Sequence, residues 1–268
     1  METSEFLSTQ EQKKFKFYHF LKEEYLEDFL RTGLLKTTQL GHSNDYFEFK
    51  PAFPNFELER VWNKVIKQAE PCVICLSARM SSPTMWGHYG DQGKGVCLAF
   101  DIPIDKFIIT IPNVRDTNSL SHLYRISGLQ LLIAEVLYTN ERYILNDKYP
   151  FTSSDLNQIT LNLACRKSLD WQYEREYRVI IPETDLQAKN GNLFYAGLHQ
   201  YCSAVLLGWN CSITRLYLET VLKECEKKKI WILNTYPSRD KFEICTNNLN
   251  GIDYSDTEKA SLISWLYD

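Results

Sequence analysis

Apolar and polar residues alternate along "YEREYRVIIP", Tyr173 to Pro182, as they do in a strand with one solvated face. On that pattern Tyr173, Arg175, Tyr177, Val179 and Ile181 share one side, with Arg175 inward or at an edge. Glu174, Glu176, Arg178 and Ile180 share the other. Elsewhere the pattern punctuates into short elements. "KFYHF" reads as a strand, and Tyr25, Leu26, Phe29 and Leu30 recur at helical spacing before Gly33 closes the helix. A loop rich in turn formers and aromatics follows, then the helix "ELERVWNKVIKQA", the breaker Pro71 and the strand "CVICLSA".

"SSPTMWGHYGDQGKG" predicts a short helix with a Ser-Pro start and a glycine end, and "GVCLAFDIP" a buried strand. "LSHLYRISGLQLLIAEVLYT" fits strand and helix equally. "FTSSDLNQITLNLACRKSLDW" predicts a helix capped by "SSD". After the acidic strand come the strand "SAVLLGWN", the helix "SITRLYLETVLKECEKKK" and the strands "IWILNTYP" and "FEICTNN". No internal repeat or low-complexity linker interrupts this order, which predicts a flexible lead-in over residues 1–14 and one α+β domain over 15–268.

Composition narrows the class. At 268 residues and 44% hydrophobic content the chain can bury a core. Thirty basic and 34 acidic residues, net −4, give no general footprint for nucleic acid. No apolar run reaches membrane-span length and the N-terminus is too polar for a signal peptide, so the expectation is a cytosolic protein with no membrane partner. Several of the eight cysteines sit in strand-like apolar runs and read as buried thiols. Cys72 and Cys75 have CxxC spacing without the second pair a zinc site needs, so no metal is expected.

The acidic strand raises a physical question. Carboxylates two residues apart on one strand face lie roughly 7 Å apart, and their repulsion gains nothing for folding unless a cation or a substrate sits between them. Taken with the order of the other blocks, an answer suggests itself. A strand bearing "YHF", a helix ending at "TGLL", a strand ending in "CLSA", "TMWGHYG", "GVCLAFDIP" and a late Glu-x-Glu occur in sequence. This order resembles the ADP-ribosyltransferase superfamily. The blocks "MWGHYGDQGKGVCLAFD" and "SLDWQYEREYR" also resemble a bacterial family, domain of unknown function 2971. Its early Asn-Asp-Pro-Phe-Glu motif appears here as "NDYFE", with Tyr46 in place of proline, and Tyr18, His19 and Phe20 replace a Lys-Tyr-Arg-like run. The resemblance covers most of residues 15 to 210 and rests on the joint order of short motifs.

The resemblance implies split, strongly bent mixed or antiparallel β-sheets flanked by helices, NAD as substrate, and transfer of ADP-ribose to a protein or nucleic acid, as in a toxin or phage-defence effector. Cleaving the nicotinamide–ribose bond develops positive charge on the sugar, which a carboxylate stabilises. Glu176 is the candidate for that role and Glu174 for orienting or deprotonating the acceptor, and which stands nearer the sugar is open. His88, beside two glycines, is a third catalytic candidate.

The NAD-binding candidates are Tyr18, His19, Ser77, Arg79, Trp86, Tyr89, Arg178, Asn44 and Asp45. All but Tyr18 also have an ordinary structural account. His19 is flanked by aromatics like a core histidine, Ser77 suits a turn cap, and Trp86 and Tyr89 suit a core face. Arg79 and Arg178 match pyrophosphate oxygens but equally form salt bridges, and Asn44 and Asp45 suit Asx turns.

The chain has no Walker A sequence, no GxGxxG after a strand, no GxSxG elbow and no HExxH, which disfavours a P-loop nucleotidase or a Rossmann dehydrogenase. Two alternatives stand beside the transferase: a catalytically silent nucleotide-binding or interaction module of the same fold, and a metal-dependent nuclease using Glu174, Glu176 and Asp45 around magnesium.

Overall fold

The structure is a computed structural model that describes residues 14–65, 71–104, 109–112, 120–145, 151–212 and 215–246. The expected lead-in therefore lies outside the described residues except for Lys14, which opens the first strand.

Along the chain the strands are β1 (Lys14–Leu21), β2 (Leu35–Lys36), β3 (Thr38–Gln39), β4 (Cys72–Ser77), β5 (Val96–Pro103), β6 (Ile109–Pro112), β7 (Leu120–Arg125) and β8 (Leu132–Glu135). They continue as β9 (Leu137–Thr139), β10 (Arg166–Ser168), β11 (Glu176–Ile181), β12 (Gln187–Lys189), β13 (Asn192–Tyr195), β14 (Cys202–Leu207), β15 (Trp231–Pro237) and β16 (Ile244–Thr246). The α-helices are α1 (Leu26–Thr32), α2 (Phe56–Val65), α3 (Pro83–His88), α4 (Ser153–Ala164) and α5 (Arg215–Lys228).

The fold is α+β, built on a large mixed sheet in the order β16-β15-β14-β5-β1-β4-β11-β8-β7-β6, with β3 added beside β4. Its ladders are antiparallel except for β14 and β15, which run parallel and are joined through α5. The sheet stays open, with β16 and β6 at its ends. Residues 120–139, which fit strand and helix equally, are the strands β7, β8 and β9.

The strand period sorts side chains onto two faces. Phe17, Ile74, Leu76, Leu98, Phe100, Val179 and Ile181 face one side, where Leu26, Phe29 and Leu30 of α1 and Val221 and Cys225 of α5 cover them. Gly33, at φ 75, ends α1 in the left-handed conformation that glycine adopts without strain, and its N–H returns to Phe29 O. The reverse face holds two apolar patches. Val73, Cys75 and Ile180 pack with α2 and α4, and Tyr18, Phe20, Cys97 and Ala99 pack with Met85 and Trp86 of α3. Between these patches lies a polar row.

Two expectations fail around that row. Residues 173–181 are not one strand, because β11 begins only at Glu176. Leu169–Glu174 forms a 3₁₀ segment, started by the Ser168 hydroxyl accepting from Asp170 N–H, and exposed Arg175 reverses the chain at φ 45. Nor does the preceding helix run through residue 171. Thr152 rather than "SSD" caps α4, in a reciprocal capping box with Asp155, and the helix stops at Ala164 so that β10 can pair with β9.

Candidate functional site

β1 and β4 meet at a single pair, Tyr18 opposite Ser77, and Ser77 is in turn opposite Glu176 on β11. Three adjacent strands thus place residues 18, 77 and 176 in one lateral row. Further along β4, the edge at Val73 and Cys72 pairs with β3 instead of β1. The imidazole of His19 reaches the gap left by this exchange, its Nδ1 2.9 Å from Cys75 O. A carbonyl only accepts, so Nδ1 carries the proton and Nε2 is left as an acceptor. Burial lowers the pKa of His19, partly countered by that bond, and the ring is neutral near pH 7.

A hollow of about 410 Å³ opens here, and its walls include Tyr18, His19, Ser77, Tyr89, Glu174 and Glu176, with Asn44 at its side. Beneath it three carboxylates and two cations are buried together. Lys167 Nζ lies 2.6 Å from Glu174 Oε2, 3.3 Å from Glu176 Oε2 and 3.9 Å from Glu48 Oε1. Arg178, 0% exposed, donates from Nε to Glu176 Oε1 at 2.8 Å, from Nη2 to Glu176 Oε2 at 2.9 Å and to Glu48, and from Nη1 to Ala164 O at 2.7 Å. The count leaves one net negative charge beside the hollow. Lys167 is the cation the opening physical question required.

The two carboxyls of the pair diverge. Burial alone would raise the pKa of Glu176, but Arg178 and Lys167 outweigh it and hold the group down at about 2. For Glu174 burial prevails over Lys167, and its pKa is raised. Tyr89 donates to Glu174 Oε1 at 2.6 Å and accepts from Asn44 Nδ2 at 3.3 Å. Burial, then the bond to Glu174, raises the phenol's own pKa. Tyr138 OH accepts the Glu176 N–H at 2.8 Å, fixing the start of β11. Ser77 Oγ lies 2.6 Å from Glu174 O and accepts from Arg79 N–H, so it ties the end of β4 to the carboxylate turn.

Other expected positions fall elsewhere. Trp86 is fully buried in α3, its indole N–H donating to Met80 O at 2.8 Å, and belongs to the core. His88 is exposed and 2.9 Å from Tyr173 OH, outside the hollow. Arg79 pairs with Ser81 and Glu243 on another surface, and Arg178 is saturated by carboxylates, so neither is presented to a pyrophosphate in the hollow. Asp45 accepts Phe47 N–H at 2.9 Å in an Asx turn and borders a different cavity, apart from Glu174 and Glu176. Among the described residues no cluster of three or more His, Cys, Asp or Glu is arranged for a metal.

Glu48, Lys167 and Tyr138 are site residues that the pattern did not single out. Lys167 lies in a three-residue strand directly after α4, where hydrophobic period carries no signal. Glu48 ends the "NDYFE" block, and that motif was its one available marker.

Residues 85–179 match the model of a family described as "Protein of unknown function (DUF2971)". That segment carries Tyr89, Lys167, Glu174, Glu176 and Arg178. No curated protein and no solved structure matches the chain. Among the described residues no helix is long and apolar enough to cross a membrane.

Proposed function

We propose that this member of the DUF2971 family is an ADP-ribosyltransferase-like enzyme that takes NAD as substrate and transfers ADP-ribose to a macromolecular acceptor. One observation carries the reading: His19, Ser77 and the Glu174–Glu176 pair, three places far apart in sequence, border one hollow with net negative charge beneath it. In the reaction the C1′–N bond of the nicotinamide riboside breaks, nicotinamide leaves with the electron pair, and positive charge develops on the sugar. Glu176, kept ionised by Arg178 and Lys167, supplies a fixed anion toward that charge. Glu174, with its raised pKa, is the better proton acceptor, and takes the proton as the acceptor's lone pair forms the new bond to C1′. Environments that push two neighbouring carboxyls apart in this way favour separate roles for them. Neutral His19 offers Nε2 to a ribose hydroxyl, and Tyr18 and Asn44 offer further polar groups on the walls.

The test is incubation with NAD labelled in the adenylate half, with cell lysate or nucleic acid, in the presence of chelator. Label transfer by the wild type and its loss in Glu176→Gln support the reading. Equal blanks for both, with no NAD-induced rise in melting temperature, refute it. The silent-module reading has its own supporting observation, since both oxygens of Glu176 are already engaged by Arg178. It predicts a rise in melting temperature without transfer.

A further inference from the structure

A second cavity, about 210 Å³, lies across the Glu48–Lys167 pair from the carboxylate hollow, and those two residues border both. Its chemistry is the reverse of its neighbour's. Lys50, Arg142 and Arg166 line it. Arg142 is anchored through Nη2 to the carbonyls of Pro51, at 2.7 Å, and Lys50, at 3.3 Å, which fixes the plane of its guanidinium and leaves Nε and Nη1 as its remaining donors. Neither Arg142 nor Lys50 forms an ion pair among the described residues. Burial lowers the pKa of Arg166, the mark of a desolvated cation. Of the carboxylates on the walls, Asp45 is engaged by Phe47 N–H, Glu48 by Arg178 and Lys167, and Glu141 stands exposed at the rim.

Phe47 lines this cavity, and Tyr46 stands beside it against Phe47 and Lys50. Tyr46 is 73% and Phe47 54% exposed, so both rings present surface to solvent. Their ring centroids are 5.2 Å apart at 87°, Lys50 Nζ is 3.9 Å from the Tyr46 centroid, and the Arg142 guanidinium is 5.1 Å from that of Phe47. A concave cationic pocket beside exposed rings suits a ligand that joins a phosphate to a planar base.

We infer that this cavity is a separate binding site for a nucleotide phosphate, with the phosphate on Arg142, Arg166 and Lys50 and the base against Tyr46 and Phe47. It stands independently of any turnover of NAD. The overall charge of −4 means the site acts locally, without a field that would draw polyanions to the whole surface.

Calorimetry on the full chain without NAD tests this, with adenosine monophosphate, inorganic phosphate, adenosine and a short single-stranded oligonucleotide as probes. The monophosphate and inorganic phosphate bind, and adenosine does not. Arg142→Ala and Lys50→Ala each weaken the monophosphate about tenfold or more, and Phe47→Ala weakens it without affecting inorganic phosphate. Circular dichroism establishes that each variant is folded, and Arg142→Lys, which keeps the charge and the stem, retains more affinity than Arg142→Ala. An oligonucleotide that binds more tightly than the monophosphate supports the site with a nucleic acid as its source, and one that binds no more tightly supports it with a free nucleotide. No binding of the monophosphate at millimolar concentration, or equal binding by the wild type, Arg142→Ala and Lys50→Ala, overturns the inference.

Discussion

The phenol of Tyr89 donates a 2.6 Å hydrogen bond to Oε1 of Glu174 across 85 positions of sequence. That contact joins the end of α3 to the 3₁₀ segment before β11, and it is one of the interactions that keep Glu174 from becoming a still weaker acid. Tyr89→Phe removes it. The Glu174 pKa then rises further, because the lost donor favoured the ionised form. A carboxyl-carbon NMR titration of Glu174 shows this directly, and under the proposed transfer reaction the acidic limb of the pH–rate profile moves upward with it. An unchanged or lower pKa contradicts the assignment.

Lys167 touches Glu48, Glu174 and Glu176 within 4 Å and is buried with them. Lys167→Met keeps the stem and deletes the charge, leaving three buried carboxylates with Arg178 alone. The expected loss is about 3–5 kcal/mol in a urea unfolding curve, because the ions left behind are uncompensated. A further Glu174→Gln change recovers part of the loss, since it removes a carboxylate that, among the described residues, pairs with Lys167 alone.

Acid stability follows from the divergent carboxyls. Glu176 has a folded pKa of about 2, below its unfolded value near 4.3. Its contribution is therefore complete above the unfolded value and is lost as pH falls from about 5 toward 2. Glu174, raised on folding, acts oppositely: its ionisation costs stability at neutral pH, and the cost disappears as pH falls. Glu176→Gln accordingly flattens the acid limb of stability against pH, and Glu174→Gln steepens it. Unfolding curves at intervals between pH 3 and 7 provide the check.

His19 gives a separate window. Its folded pKa is lowered, so it contributes stability that is present above the unfolded value of about 6.5 and is lost as pH falls below it. His19→Gln flattens the stability profile between pH 7 and 5. If the wild-type and variant profiles run parallel through that interval, the part-buried neutral imidazole is wrong.

The strands β4, β5 and β11 were legible in sequence because their apolar runs are bounded by proline, serine or glycine and are rich in β-branched and aromatic residues. Glu174 and Glu176 were expected on one side of the sheet and do converge, although by another route. The left-handed Arg175 turn, not a continued pleat, brings the first beside the second. Nothing in a two-residue period announces such a turn at arginine. Lys167 and Glu48 were illegible for a different reason: Glu48 and Arg178 are 130 positions apart, and only the tertiary fold pairs them. Arg79 and Arg178 show the converse, since guanidinium chemistry suits a phosphate, but their placement gives one to Glu243 and the other to buried carboxylates.

A structure solved with NAD bound tests the central claim most directly. The account predicts the nicotinamide ribose in the hollow where β1 and β4 part, its anomeric carbon toward Glu174 and Glu176 and a hydroxyl within reach of His19. A dinucleotide seated away from this hollow, or none bound at millimolar NAD, contradicts it.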